Sequence, residues 1–175
     1  MTGQSVQATP VEAEALLNDF RTAMRGVAST IHIVTLTLDG APKGMTATAV
    51  SSLSMNPPSL LVCMNETVSM HEPMAGIEWF CVNVLTTRHI AVARAFSDSR
   101  LRDVRFETGQ WSIDDEPAPR LADAQAAMLC RRVGHHRFGT HSIFLGEVCK
   151  VRLSGARDPL VYLDGSFQCS GPVTS

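Results

Sequence analysis

Chemistry in this chain has few places to live, and the first is Gly44-Met45-Thr46-Ala47-Thr48-Ala49-Val50-Ser51-Ser52-Leu53-Ser54, closed by Met55-Asn56-Pro57-Pro58. It is a run of small and hydroxylated side chains with almost no bulk and no charge. A strand that only fills a core carries Val, Ile, Phe and Tyr. Glycine and alanine instead let another molecule approach the main chain, and Ser and Thr hydroxyls both donate and accept hydrogen bonds. The run therefore suits something flat or anionic; a small-residue strand packed under a helix is the plainer alternative. Ser69 stands where it would cap a short helix over 69–75, and a helix N-terminus is a phosphate seat. Asn83 interrupts the apolar run Trp79 to Leu85. If buried it needs partners, so it either ties two backbones together or touches a ligand. His135-His136, with His141 nearby, suggests a metal, but neighbours on a strand point to opposite faces and cannot share one site. No metal is expected. The five cysteines form no C-x-x-C pair and mostly lie in apolar runs, as buried thiols of a reducing cytoplasm do.

Those residues need a frame. Val11 to Met24 has a helical period, with Leu16, Leu17, Phe20, Met24 and Val27 on one stripe. Thr30 to Leu38 reads as a strand, Asp39-Gly40 as a tight turn, and the small-residue run as the second strand of a hairpin. Pro57-Pro58 breaks the ladder before a buried strand over 59–64. A further strand over 79–85 and a helix over 87–96 follow. A charged turn over 100–106 leads into a polar excursion to Pro119 that Trp111 anchors. Segments 124–133 and 140–153 are β, with His135 to Phe138 as a basic turn between Gly134 and Gly139. Pro159 to Leu163, Asp164-Gly165 and Ser166 to Cys169 make a terminal hairpin.

Composition bounds the class. The chain has 175 residues, 45% of them apolar, and a formal charge of -2. That gives one domain over 11–170 between short tails at 1–10 and 171–175, and no basic footprint for nucleic acid. No window is long and apolar enough to cross a membrane, and the N-terminus is no signal peptide. Some seven strands in hairpins, few helices and no G-x-G-x-x-G predict a mainly β antiparallel barrel of Greek-key type, so a bound nucleotide would lie on the barrel surface.

With these elements in place the sequence resembles the short-chain flavin reductase family, the reductase components of two-component flavin monooxygenases, whose fold is a split β-barrel. The resemblance runs from Phe20 to Phe167. It is carried by Phe20-Arg21-x-x-Met24, Ile33-Val34-Thr35, Gly44 to Ser54 and Pro57-Pro58. It continues through Cys63, Asn65, Ser69, Phe80-x-Val82-Asn83-x-Leu85, Arg105-Phe106, Gly139-x-His141, Gly146-x-Val148 and Pro159-Leu160-x-Tyr162-x-x-Gly165-x-Phe167. It implies a cytoplasmic homodimer with flavin near the subunit interface, FMN ahead of FAD, and NADH or NADPH as co-substrate. A flavin-dependent oxygenase would take the reduced flavin. A cobalt corrinoid or ferric complex as acceptor, or a flavin-binding module without catalysis, are the alternatives. Met45, Thr46, Ala47, Thr48, Ser51 and Ser52 would lie along the ring and ribityl chain, Asn65 and Ser69 near the phosphate, and His141 where nicotinamide docks. Cys63, Asn83, Arg88 and Phe167 complete the expected flavin-binding set, with Tyr162 as another wall or a core residue. Arg131, Arg132 and Arg137 are either surface or aids to an NADPH phosphate. Gly139-Thr140-His141 departs from the family's Gly-Asp-His, which removes an acidic partner from the histidine, and Phe167 stands where Tyr is common.

Overall fold

A computed structural model describes residues 9–171. Helix α1 (Pro10–Arg25) begins in a capping box: the Glu12 amide donates to Thr9 Oγ1, and the Thr9 amide donates back to the Glu12 carboxylate. Thr9 and Pro10, expected in a tail, thus belong to the helix start. The remaining tail residues, 1–8 and 172–175, lie outside the described residues.

Strands β1 (Ser29–Thr30), β2 (His32–Leu38), β3 (Ala41–Ala47), β4 (Val50–Met55) and β5 (Pro58–Asn65) come next, followed by α2 (His71–Gly76) and β6 (Trp79–Val84). Helix α3 (Ile90–Ser97) and the short β7 (Trp111–Ser112) and β8 (Arg120–Leu121) precede the long pair β9 (Ala126–Phe138) and β10 (His141–Leu153). Strands β11 (Leu160–Leu163) and β12 (Ser166–Cys169) close the chain. The main sheet has the order β3-β2-β6-β9-β10-β5-β4 and is antiparallel throughout. It stays open between β3 and β4, so the architecture is a split antiparallel barrel.

The small-residue run is therefore two strands and not one. Exposed Thr48 and Ala49 cross from one edge of the sheet to the other, where a continuous ladder would have closed the barrel. Pro57 lies in the β4–β5 turn and Pro58 opens β5, so the prolines shape a hairpin tip. His135 to Phe138 form no turn: β9 runs to Phe138, and the reversal is Gly139-Thr140, with Gly139 at φ +59°. The Asp39-Gly40 and Asp164-Gly165 turns form as expected, all four residues at positive φ.

Both faces of the central strands are covered. Ile33 and Cys81 face a layer made by α3, Leu121 and Leu160, while Val34, Leu36, Phe80, Val82 and Phe144 fill the concave side. Trp111 anchors the 107–119 excursion, its Nε1 donating to Thr108 O at 2.9 Å and its ring 5.0 Å from those of Phe96 and Phe106. No residue of α1 is buried, so its apolar stripe is open in the protomer.

Candidate functional site

Strand β3 is an edge strand, and α3 packs beside it through one short bond, Thr46 Oγ1 to Ala93 O at 2.9 Å. Gly44 makes the approach possible: a Cβ there would meet Phe96 Cε1 at 2.7 Å. Above this seam lies a groove built of two adjoining cavities that share Thr46 and Ser97. One, about 390 Å³, is lined by Thr46, Thr48, Ala93, Arg94, Tyr162, Gly165 and Phe167. The other, about 350 Å³, is lined by Met45, Thr46, Thr67, Ser69, Phe96, Ser97, Ser99, Arg102 and Arg105. Short side chains thus form the floor, the terminal hairpin walls one end, and two arginines close the other. Arg94 sits 5.8 Å over the Phe167 ring, a cation–π contact that fixes that wall.

The arginine end carries the electrostatics. Arg105 is only 7% exposed. Its guanidinium donates to Gly44 O at 2.5 Å and Asp98 O at 3.2 Å, and its Nε has no partner. Burial, then the neighbouring Arg102 charge, pull its pKa down, yet an arginine stays protonated. The nearby Asp98 carboxylate is taken by Arg100 at 2.7 Å. Among the described residues neither Arg102 nor Arg105 has an ion-pair partner, and no carboxylate lines this cavity. Arg105 is held by backbone carbonyls and one of its guanidinium nitrogens is free, so this end offers a positive, partly unsatisfied surface that suits an anionic group. A flat uncharged ring along the floor with a phosphate at the arginines fits the residues present.

The predicted residues divide. Met45, Thr46, Thr48, Ser69 and Phe167 line the groove. Ser69 does so through its exposed side chain: α2 starts two residues later, its N-cap is Met70, and it has no side-chain cap bond, so the helix-end phosphate seat does not form. Asn65 stands at the start of the loop leading to Ser69, its Oδ1 accepting from the Thr67 amide and hydroxyl, both at 2.9 Å. Ala47 turns into the core. Ser51 and Ser52 line a different cavity of about 300 Å³ with Val50, Met128, Val148 and His32, because the crossing at Thr48-Ala49 carries them to β4. Cys63 is half-buried on β5, and Arg88 is exposed on the turn before α3; neither lines the groove.

Asn83 is fully buried away from the groove. Its Nδ2 donates to Ile33 O at 3.1 Å and Thr35 Oγ1 at 3.3 Å, and its Oδ1 accepts from Leu121 N at 2.8 Å. It ties β2, β6 and β8 together, the first of the two roles open to it. His141 is exposed at the start of β10, pairs in register with Asn65, and its Nδ1 lies 2.9 Å from Thr140 Oγ1. The hydroxyl before it thus fixes the ring, where an acid was missing. Arg131 and Arg137 are ion-paired with Glu147 at 2.7 Å and Glu66 at 2.6 Å, and Arg132 Nε donates to Ile77 O at 2.8 Å. Of the cysteines only Cys81 and Cys130 are buried; burial pushes the Cys81 thiol up to about 12, while Cys149 and Cys169 are exposed, against expectation.

Sequence reasoning missed Arg94, Ser97, Arg102 and Arg105 as groove residues. The 100–106 stretch reads only as a charged turn, and the fold alone brings its arginines beside β3.

A family model described as flavin reductase like domain matches residues 24–170. The chain is 39% identical over 162 residues to the reductase component of the FADH(2)-dependent resorcinol hydroxylase of a Rhizobium species, covering 91% of this chain and 90% of that protein. It is 38% identical over 168 residues to the FMN reductase (NADH) RutF 1 of Methylorubrum extorquens, covering 96% and 82%. Among solved structures, the NADH:FAD oxidoreductase SgcE6 of Streptomyces globisporus superposes with a TM-score of 0.82 at 28% identity, covering 100% of this chain and 97% of that one.

Proposed function

This chain belongs to the flavin reductase-like family, and from that premise we propose that it is an NAD(P)H-dependent flavin reductase whose product, reduced flavin, serves a separate oxygenase. The observation that carries the site assignment is the groove over β3, with a slim floor and two arginines that have no carboxylate partner among the described residues. When bound there, flavin supplies the hydride acceptor. The chain's own part is to bind and orient. Met45, Thr46 and Thr48 present backbone and short side chains along the floor, where a bulky residue would occupy the space of a ring. Tyr162 and Phe167 form the apolar end wall. Ser69, Arg102 and Arg105 hold the phosphate. His141, which contacts Thr140 and pairs in register with Asn65 at the end of β5, is assigned to the nicotinamide. The relatives named as FMN and FAD reductases support the activity.

The oxygenase partner rests on the resorcinol hydroxylase relative being a reductase component. A homodimer rests on α1. Leu16 is 68% and Phe20 59% exposed, and the helix is tied to the rest by the Arg25–Asp164 pair, open to solvent, and one backbone bond. A sixteen-residue helix with no buried side chain is marginal alone, so a second copy covering its stripe is the natural partner. No described helix is long and apolar enough to cross a membrane, and a cytoplasmic setting suits five unpaired thiols.

The test is to mix purified protein, flavin and NADH without air and follow the yellow absorbance. Rapid bleaching that depends on the protein supports the reading. Flavin binding without bleaching would leave a binding module, and turnover independent of added free flavin would favour a tightly held cofactor serving another acceptor.

A further inference from the structure

The residues on either side of His141 are tied to the segment that carries Thr67 and Ser69 into the groove. Thr140 O accepts from the Glu66 amide at 3.0 Å. Ser142, only 1% exposed, has its Oγ 2.9 Å from His71 Nε2. Arg137, near the end of β9, pairs with Glu66 at 2.6 Å. The backbone at His141 is thereby held against the 65–71 segment. What stays free is the rotation of the exposed ring and the choice of which ring nitrogen carries the proton.

The Thr140 hydroxyl, 2.9 Å from Nδ1, bears on both. A hydroxyl donates or accepts, whereas an ionised carboxylate only accepts. An acidic side chain at this place would call for the proton on Nδ1 and leave Nε2 a bare acceptor. The carboxylate of the adjoining segment, Glu66, is taken by Arg137, and among the described residues the hydroxyl is the hydrogen-bond partner of Nδ1. We propose that Thr140 donates to Nδ1 and so holds His141 in the Nε2–H form. Thr140 is then a positioning residue: it turns the outer edge of the ring into an N–H donor, which suits the carboxamide oxygen of a nicotinamide. The proposal rests on His141 being the nicotinamide residue and adds the form of its ring and the side chain that sets it.

The tautomer is read without turnover from the nitrogen-15 shifts of the imidazole at about pH 8.5, where an ordinary histidine is neutral; His141→Ala assigns the signals. Wild type and Thr140→Ser should show Nε2–H, Thr140→Val a smaller share of it, and Thr140→Asp the Nδ1–H form. The KM for NADH should rise about fivefold in Thr140→Val and Thr140→Asp and stay within about twofold in Thr140→Ser. Flavin affinity by fluorescence titration should stay within about twofold in all three variants. An Nδ1–H ring in the wild type, or a Thr140→Val protein with tautomer and KM unchanged, would overturn the proposal and leave the flavin reductase reading standing. Flavin affinity that falls as far as KM rises would also overturn it, by making Thr140 a fold residue. Wild-type protein that holds the Nε2–H ring but does not bleach flavin with NADH would overturn the underlying reading, and with it the assignment to nicotinamide.

Discussion

Gly44→Ala isolates the close approach on which the groove depends. The added methyl would lie 2.7 Å from Phe96 Cε1 and 3.1 Å from both Phe96 Cδ1 and Thr35 Cγ2. Ordinary contact begins near 3.4 Å, so the ring must retreat by roughly 0.7 Å or more. It has nowhere easy to go. Phe96 is 2% exposed, with Phe106 at 4.9 Å, Trp111 at 5.0 Å and the Arg105 guanidinium at 5.6 Å. Overpacking of this kind costs about 1–3 kcal/mol. For a chain of this size that is a Tm lower by roughly 2–12 °C. Because Phe96 belongs to α3 and lines the cationic cavity, the displacement also moves the groove wall, so flavin affinity should fall with stability. Thermal unfolding followed by near-ultraviolet circular dichroism reads the first effect and flavin fluorescence titration the second. Gly76→Ala, where a Cβ meets nothing within 4 Å, is the control and should stay within about 0.5 kcal/mol. A Gly44→Ala protein as stable as that control, with flavin affinity intact, would refute the idea that this glycine sets the spacing between β3 and α3.

Asn83→Ala should cost about 1–3 kcal/mol in chemical denaturation, since it strands the Leu121 amide in the core and takes a second donor from the Ile33 carbonyl, while flavin affinity of the folded protein stays within twofold; a tenfold loss of flavin at unchanged stability would make it a ligand after all. His141→Ala should raise the KM for NADH more than it alters flavin binding, and equal losses of both would mark the ring as structural. Burial holds His32 below the ordinary histidine pKa, its Nδ1 has no partner, and the cavity it lines carries no charged side chain. The unfolded chain therefore takes up a proton first as pH falls. This contribution to stability is full above the unfolded pKa of about 6.5 and declines below it, by at most about 1.4 kcal/mol per pH unit. His32→Gln should flatten that slope in denaturation midpoints measured from pH 7.5 down to pH 5.5, and an identical slope in the variant would assign it to other groups.

What the sequence disclosed follows the range of the forces involved. Strands, the two Asp-Gly turns and the helix stripes are set by neighbours a few residues apart, and they were legible. So was the choice between two roles at Asn83, because a buried amide must be satisfied whatever the fold. The break at Thr48-Ala49 was not legible. Nothing in their side chains forbids extension, and they leave the ladder only because β4 pairs with β5 at the far edge of the sheet. That crossing separates Ser51 and Ser52 from the groove while keeping Thr46 and Thr48 in it. Arg105 shows the same limit from the other side. It lies in a charged turn and gives no local sign of burial, yet a bond to Gly44 O, sixty-one residues away, draws it inside. The carbonyl it reaches belongs to the glycine that admits Phe96, so one residue sets both the width of the groove and the position of its cationic end. A substitution at Gly44 should therefore disturb ring and phosphate binding together.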